Sequence, residues 1–275
     1  MKTPQKDKAE AFLALHHDKR LLVLPNVWDV LGAKLIERSG LPAMATASAS
    51  VAFSRGYQDG QHIPFNTLLQ VLQAICQATD LPVSADMERG YANDNAELAD
   101  NTKQLIEAGV IGINIEDSII EGGELTSLDQ QCERIQCIRK AADEEGIPLV
   151  INARCDIYLK EQPSTDPLSV AIKRGQMYKE AGADCYYPIL CPPHSLHTVN
   201  AEVDLPLNVL AVAGLMPMKE LEEMGIARIS LGPGLLKAAL TSMRTVIQSV
   251  MNYEDYQTFA NPDIITSQEI VDMIS

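Results

Sequence analysis

Two acidic side chains follow a short apolar run in the first half of this sequence. In "LPVSADMERGY", Asp86 and Glu88 stand two residues apart, directly after residues typical of a buried strand. Side chains at positions i and i+2 of a strand point to the same face, and carboxylates are the ligands that a hard cation such as Mg²⁺ prefers. Acidic residues are also commonly just solvated, so the rest of the chain must decide whether this pair belongs to a metal site.

Three more segments place charged residues after apolar runs. Asp59 lies in "TASASVAFSRGYQDG", Glu116 in "NIEDS" and Arg154 in "NARCD". Carboxylates that meet at one edge repel each other unless a cation lies among them, which favours Mg²⁺, with Mn²⁺ as the alternative ion. The fork of Arg154 would bind a carboxylate or phosphonate of a substrate, or it would form a structural salt bridge to Glu116 or Asp156.

Alternating apolar and amphipathic segments predict the elements that position these residues. Eight candidate strands lie at 21–25, 43–48, 82–86, 111–117, 149–156, 185–189, 207–212 and 227–231. Candidate helices lie at 29–39, 65–79, 95–108, 128–145, 167–181, 218–224 and 235–253, with a weaker one at 194–201. Repeated strand and helix units predict a parallel sheet with helical crossovers.

Eight such units are the number that closes a TIM-type (β/α)8 barrel, and we predict that fold. An open, doubly wound sheet is the alternative. The first strand, however, ends in "LPNVWD" without the GxGxxG turn that dinucleotide-binding sheets carry. In a barrel the chemistry lies at the carboxyl ends of the strands, which is where the charged residues described above are placed.

The chain continues beyond the helix that follows the eighth strand. A shorter amphipathic segment occupies about 254–275, so we predict one α/β barrel domain over 1–275 with a C-terminal helical extension. The extension must bury its apolar side either on its own barrel or on a neighbouring subunit.

Composition limits the partners. A formal net charge of −15 argues against nucleic acid and anionic membranes, whereas a small anion stays compatible with a pocket that holds a cation or arginine. The six cysteines form no CxxC pair, which favours reduced thiols in the cytoplasm. We see no apolar signal segment and no membrane span. His16 and His17 precede the first strand and are expected to be solvent-exposed.

Several of these segments resemble the isocitrate lyase/phosphoenolpyruvate mutase superfamily over about residues 24–232. They are "LPNVWDVLGAKLIERSGLPAMATASASVAFSRGYQDG", "SADMERGY", "GINIEDS" and "NARCD". The resemblance implies an α/β barrel, a Mg²⁺ site, and α-keto-acid or enolate chemistry at a carbon–carbon or phosphorus–carbon bond. It also implies a homo-oligomer, a dimer or tetramer, in which a helix near the C-terminus is exchanged between paired subunits.

The resemblance also assigns roles to the acidic residues. Asp86 resembles the acid that contacts the metal directly, and three others resemble acids that hold the water molecules of the metal: Asp59, Glu88 and Glu116. Glu88 stands where many members of the superfamily have aspartate.

Further positions resemble the substrate-binding residues of the superfamily. Arg154 resembles the arginine that binds the substrate carboxylate. The backbone at Thr46, Ala47 and Ser48 resembles a loop whose amides hold the same group, although this loop reads Ala-Ser here where Ser-Gly is usual. Asn208 lies where polar residues of the seventh strand reach the substrate.

The segment after the fourth strand departs from the superfamily pattern. Isocitrate and methylisocitrate lyases carry a Lys-Lys/Arg-Cys-Gly-His loop whose cysteine is the general acid–base, whereas here the segment reads "EDSIIEGGELTSLDQQCERI". Phosphonate-forming mutases and phosphonate hydrolases usually keep a lysine that is missing as well. Tyr91 and Glu116 are therefore the candidate bases, and the glycine-rich loop is a candidate lid.

These observations predict a Mg²⁺-dependent carbon–carbon lyase or decarboxylase. Its substrate would be a small α-keto or 2-hydroxy di- or tricarboxylate that reacts through a metal-stabilised enolate. Loss of carbon dioxide from a β-keto acid needs no proton from the loop, so the departure leaves that reaction intact. Two alternatives remain open: a phosphorus–carbon bond enzyme of the phosphoenolpyruvate mutase or phosphonopyruvate hydrolase type, and an α-keto-acid-binding protein with vestigial catalysis.

Overall fold

The computed structural model describes residues 2–118, 124–159, 166–253, 259, 261 and 263–274. The strands within them are β1 (Leu22–Leu24), β2 (Asn26–Val27), β3 (Met44–Thr46), β4 (Val83–Asp86), β5 (Gly112–Glu116), β6 (Val150–Cys155), β7 (Cys185–Pro188), β8 (Asn208–Leu210) and β9 (Arg228–Ser230). The first two are parts of one barrel strand, interrupted at Pro25, which has no backbone N–H to donate. Each of the eight predicted strands therefore has its counterpart.

Hydrogen bonding groups these strands into two parallel sheets, ordered β2-β3-β4-β5-β6-β7 and β1-β9-β8. The sheets adjoin at two places. The chain passes directly from β1 into β2 through Pro25, and Tyr186 forms a parallel bridge with Leu207. The amide of Tyr186 also donates to the carbonyl of Pro206 at 2.9 Å. The predicted α/β barrel is confirmed as the fold class.

Helices connect the strands, with one further helix before the first strand and two after the last. They are α1 (Gln5–Leu15), α2 (Val30–Arg38), α3 (Ser48–Ser54), α4 (Phe65–Ala78), α5 (Asn95–Glu107), α6 (Leu128–Glu144), α7 (Pro167–Glu180), α8 (Pro193–Val203), α9 (Met218–Glu223), α10 (Gly234–Met251) and α11 (Ser267–Ile274). A short 3₁₀ helix covers Ile157–Leu159. The predicted helices are confirmed, including the weak one at α8, while α1 and α3 had not been predicted.

The first helix lies across the amino-terminal end of the barrel. Phe12 of α1 is fully buried in a cluster with residues from the starts of the strands: Leu22, Leu24, Ala43, Ala45, Ile111 and Val150. Gly112 begins β5 next to the aromatic ring of Phe12, and a Cβ at Gly112 would lie 2.8 Å from the Cε1 atom of that ring. The apolar strand starts therefore bury their side chains against α1.

The expectation that His16 is solvent-exposed is wrong, although His17 is exposed as expected. Only 2 % of His16 is exposed, because α1 carries it into the barrel end. Its Nδ1 lies 2.8 Å from the carbonyl oxygen of Phe12, and its ring packs edge-on against the Phe12 ring. Burial, followed by the charge of Arg228, lowers the pKa of His16 to about 3.

The C-terminal helices differ in how they pack. In this chain α11 packs against α2, and Arg38 of α2 donates from Nη2 to the carbonyl of Asp272 at 2.9 Å. By contrast, α10 presents an exposed apolar stripe at Leu240, Met243, Ile247, Val250 and Met251. Among the described helices, none combines the length and apolar character that a membrane crossing requires.

Candidate active site

A cavity of about 200 Å³ lies at the carboxyl ends of the barrel strands. Six predicted site residues line it: Thr46, Ala47, Ser48, Asp59, Asp86 and Arg154. The four other predicted residues lie outside its wall: Glu88, Tyr91, Glu116 and Asn208. Polar lining residues that the sequence analysis did not single out include Asn26, Asn114, Arg228 and Ser230.

Asp86 is the last residue of β4 and is held on several sides. Its backbone N–H donates to Thr46 Oγ1 at 3.0 Å, and its Oδ2 atom accepts from the N–H of Ser48 at 3.0 Å. Its Oδ1 atom accepts from Asn114 Nδ2 at 2.9 Å. The carboxylate is thus fixed in orientation at the cavity, and the amide of Ser48 in the predicted substrate loop is already engaged with it.

A chain of side-chain amides supports Asp86 from inside the barrel. Asn152 Nδ2 donates to Asn114 Oδ1 at 2.8 Å, and Asn114 in turn donates to Asp86. The three residues are register partners across β4, β5 and β6. Sequence reasoning missed both asparagines, although the signal was present: each stands two residues before a charged residue in an otherwise apolar strand.

Glu88 and Tyr91 form a pair in the turn that follows β4. Tyr91 donates its hydroxyl to Glu88 Oε1 at 2.8 Å. Burial and then the charge of Asp86 raise the pKa of Glu88 to about 7. Burial and then the charge of Glu88 raise the pKa of Tyr91 above its ordinary value. This contact favours Tyr91 as a hydrogen-bond donor over the predicted role as a general base.

The turn that carries this pair has an unusual backbone. Glu88, Gly90 and Tyr91 adopt left-handed φ angles of 49°, 90° and 52°. A Cβ at Gly90 would overlap Leu98 Cδ1. Left-handed conformations at residues other than glycine are strained and cluster at functional sites, so the turn is held in place by its surroundings.

Arg154 forms the salt bridges given as the alternative to substrate binding, and it also lines the cavity. Its Nε and Nη2 atoms donate to the carboxylate of Asp156 at 2.6 and 3.0 Å, and its Nη1 lies 2.8 Å from Glu116 Oε2. These contacts do not use every N–H of the guanidinium, so a substrate carboxylate can still bind. Burial raises the pKa of Glu116, and the charge of Arg154 opposes that rise.

The two remaining predicted residues lie at opposite depths. Asp59 is exposed on the loop after α3, and partial burial followed by the charge of Asp86 raises its pKa. Asn208 is fully buried, and its Oδ1 accepts from Ser230 Oγ at 3.1 Å. Asn208 therefore reaches the cavity only through Ser230.

The donor set suits a hydrated hard cation. No group of three or more His, Cys, Asp or Glu side chains within the described ranges is arranged to ligate a metal together. Asp86 is nevertheless held toward the cavity. Burial, followed by the charge of Asp86, raises the pKa values of Asp59 and Glu88, the two acids that crowd beside it. A cation bound through one carboxylate and several water molecules relieves that crowding.

The candidate lid is only partly described, because residues 119–123 lie outside the described part of the chain. At its edges, Ser118 forms an antiparallel bridge with Leu125, and Thr126 donates its amide to the carbonyl of Asp117 at 2.7 Å. Ser118 also donates its hydroxyl to Asp156, the partner of Arg154. The base of this loop is thereby joined to the cavity wall.

Comparison with known proteins shows to which family this chain belongs. The sequence model of the phosphoenolpyruvate phosphomutase family matches residues 12–251. The chain belongs to this family. The resemblance to the isocitrate lyase/phosphoenolpyruvate mutase superfamily is therefore confirmed.

Two sequence relatives illustrate the family. An uncharacterised protein of Mycobacterium tuberculosis is 32 % identical over 89 % of this chain and 90 % of its own length. A 2-methylisocitrate lyase of Halalkalibacterium halodurans is 26 % identical over 98 % of this chain and 91 % of its own length.

Solved structures share the fold. A candidate phosphonomutase from Burkholderia cenocepacia is 36 % identical with a TM-score of 0.85, covering 90 % of this chain and 99 % of that one. The structure of phosphonopyruvate hydrolase with oxalate and Mg²⁺ is 21 % identical with a TM-score of 0.84, covering 97 % and 94 %. At that identity the second likeness concerns the fold alone.

Proposed function

We propose that this protein is a Mg²⁺-dependent lyase that cleaves a carbon–carbon bond of a small α-keto or 2-hydroxy di- or tricarboxylate. One observation carries the proposal: Asp86 and Arg154 line the same cavity. An acid suited to a cation and a guanidinium suited to a carboxylate thus face one space. At about 200 Å³ that space is smaller than the roughly 300–1,000 Å³ of sites for drug-sized ligands, which suits a substrate of few carbons.

The roles follow from the contacts. Asp86 would hold Mg²⁺ directly, with the water molecules of the ion held by Asp59, Glu88 and Glu116. Bound there, Mg²⁺, or Mn²⁺ in its place, supplies Lewis-acid stabilisation of negative charge on the substrate oxygens. Arg154 binds a substrate carboxylate, and Asp156 and Glu116 fix the direction of its guanidinium. Thr46, Ala47 and Ser48 line the same cavity, and their backbone would help to hold that carboxylate.

Decarboxylation of a β-keto acid suits this site best. Carbon dioxide leaves without a proton from the loop after β5, in which the sequence has no lysine, histidine or cysteine between Asp117 and Leu128. Retro-aldol cleavage needs a base to deprotonate a hydroxyl. Glu116 and Tyr91 remain the predicted candidates for that role, and the hydrogen bond from Tyr91 to Glu88 favours Glu116.

A phosphorus–carbon reaction is the second candidate. Its support is the match to a phosphomutase family and the likeness to a candidate phosphonomutase at 36 % identity. Binding of α-keto acids without turnover is the third, because the loop lacks the usual acid–base residues.

One panel assay separates the three candidates. The protein is incubated with Mg²⁺ or with EDTA, and with oxaloacetate, 2-methylisocitrate or phosphonopyruvate. We expect turnover of a carbon–carbon substrate that EDTA abolishes. Turnover of phosphonopyruvate alone supports the second candidate, and tight binding of pyruvate or 2-oxoglutarate without any turnover supports the third.

We further propose that the protein acts as a homo-oligomer, a dimer or a tetramer, in the cytoplasm. The exposed stripe of α10 supports the first part. All six cysteines carry free thiols, which agrees with a reducing compartment. The acidic surface supports a small carboxylate as the partner in place of nucleic acid or membrane.

A further inference from the structure

Arg228 is a buried cation without a direct counter-ion among the described residues. Only 2 % of its surface is exposed. The buried Arg174 forms an ion pair with Asp117. The partly buried Arg154 forms ion pairs with Glu116 and Asp156. No carboxylate in the described part of the chain lies within ion-pair distance of Arg228. Because arginine stays protonated in proteins, an uncompensated charge here is energetically costly.

The immediate contacts of Arg228 leave donors unused. Its Nε donates to Ser230 Oγ at 3.2 Å, and Ser230 in turn donates to Asn208 Oδ1. Arg228 Nη1 and Asn208 Nδ2 have no hydrogen-bond partner among the described residues. Arg228 and Asn208 are register partners on neighbouring strands. Two unpaired donors therefore lie side by side in the barrel, linked through one hydroxyl.

The arginine belongs to the cavity already described. Arg228 and Ser230 line it together with Asp86 and Arg154. Arg228 is two residues short of the end of β9, so it rises from deeper in the barrel than Asp86, which ends β4. A ligand held at Asp86 and Arg154 would therefore share its cavity with Arg228.

We propose that Arg228 binds a second anionic group of the substrate, at the end opposite the carboxylate that Arg154 holds, and so selects dianionic over monoanionic α-keto acids. The inference rests on the proposed function and narrows its substrate class. An oxyanion supplies acceptors to the unpaired Nη1 and compensates the buried charge. Carboxylate and phosphonate share this chemistry, so the test includes both.

Three ligands that differ only at the third carbon provide the test. Oxaloacetate carries a carboxylate there, phosphonopyruvate a phosphonate and 2-oxobutyrate a methyl group. Affinity is measured with Mg²⁺ by calorimetry, or as KM where a ligand turns over. The variants are Arg228→Met and, as a matched control at the other end of the barrel, Arg20→Met, since Arg20 is exposed.

We expect the wild-type protein to bind at least one dianion more tightly than 2-oxobutyrate. Arg228→Met should weaken that binding about tenfold or more, the size of a lost charge-assisted hydrogen bond. The same variant should leave 2-oxobutyrate within about twofold, and Arg20→Met should change neither. The dianion that responds identifies the group as carboxylate or phosphonate.

Ser230→Ala covers the case in which Arg228→Met does not fold, as judged by circular dichroism. This variant removes the hydroxyl that accepts from Arg228 Nε. It should therefore weaken binding of the dianion alone, by a smaller factor than Arg228→Met does. Equal losses of affinity for all three ligands, or no loss for any of them, would overturn the inference. That is the result expected if Arg228 merely binds water. A wild-type protein that binds 2-oxobutyrate as tightly as both dianions overturns this inference alone. Failure to bind any of the three overturns the proposed function as well.

Discussion

Asp86 shows what could be predicted at the level of single residues. Its charge at a strand end made it visible in the sequence. The same holds for Glu116 at the end of β5, and Asp59 was visible as a charge in a loop. The amides that hold it were not visible, because an asparagine carries no charge and its partner comes from a neighbouring strand. Only the register of β4, β5 and β6 brings Asn114 and Asn152 into line with Asp86.

Replacing Asn114 with alanine should weaken Mg²⁺ binding. The Asn114→Ala variant loses the donor to Asp86 Oδ1 and leaves Asn152 Nδ2 without its acceptor. Loss of a residue that orients a metal ligand typically costs about 10–100-fold in metal affinity. Calorimetric titration with Mg²⁺ measures the effect. Asn200→Ala, at the opposite end of the barrel, should titrate like the wild type, and equal affinity for Asn114→Ala would show that Asp86 needs no such support.

At the scale of elements, the alternation of apolar and amphipathic segments in the sequence predicted every strand and most helices, because these elements bury apolar side chains in the barrel. The exceptions have physical reasons. Within α1 only Ala9 and Phe12 are buried, so the segment carries little amphipathic signal of its own. Its position depends on strand starts that lie far along the chain, and this is also why His16 was misplaced.

The buried His16 should make stability depend on pH. Its folded-state pKa of about 3 lies below the ordinary 6.5, so the unfolded chain takes up the proton first. The stability linked to His16 is complete above the ordinary pKa and is lost as pH falls through the range between the two values. We expect His16→Gln to remove about 2 kcal/mol of the decrease in unfolding free energy between pH 6.5 and about pH 5.

Denaturant titrations at several pH values measure this dependence. His17→Gln is the matched control, because His17 is exposed and should leave the pH dependence unchanged. If His16→Gln keeps the full slope of the wild type, the slope comes from other groups and His16 is not buried as described.

The turn after β4 should tolerate alanine at Gly90 poorly. Gly90→Ala combines a left-handed φ of 90° with an overlap between the new Cβ and Leu98 Cδ1. Gly146→Ala is the control, since Gly146 has a φ of 68° but no atom within 4 Å of a Cβ. Urea unfolding should show a loss of about 1 kcal/mol for the control and more than about 2 kcal/mol for Gly90→Ala. Equal losses would mean that Leu98 moves aside freely.

At the scale of the whole molecule, α10 leaves an apolar surface uncovered. Leu240, Met243 and Ile247 are each about half exposed along one face of the helix. Their helical spacing was visible in the sequence. Whether such a face packs on its own barrel or on another chain depends on residues far away in the sequence or on a second subunit. Together with the proposed oligomer, the exposed face makes α10 the expected subunit contact.

Charge on this face should prevent assembly. We expect the double variant Met243→Glu, Ile247→Glu to shift the molar mass measured by light scattering from the oligomer toward the monomer, because it would bury unpaired carboxylates at the contact. Ser242→Glu, on another face of the same helix, should keep the oligomer. A monomeric wild-type protein would contradict the proposed oligomer, and a double variant of unchanged mass would place the contact elsewhere.

The choice of substrate also depends on the assembled barrel. The cavity wall combines residues from several strands, and Arg228 was missed because in the sequence it resembles any charge near a strand. Its importance depends on the lack of a carboxylate within ion-pair distance among the described residues. Only the assembled barrel determines which side chains are its neighbours.

Binding of 2-oxoglutarate with and without Mg²⁺ tests the central claim most directly. We predict that the wild-type protein binds the keto acid only when Mg²⁺ is present and that Asp86→Ala abolishes this metal-dependent binding. Asp156→Ala should lose less, because Asp156 contacts Arg154 and not the predicted metal position. If Asp86→Ala bound metal and keto acid as the wild type does, the assignment of the active site would be wrong.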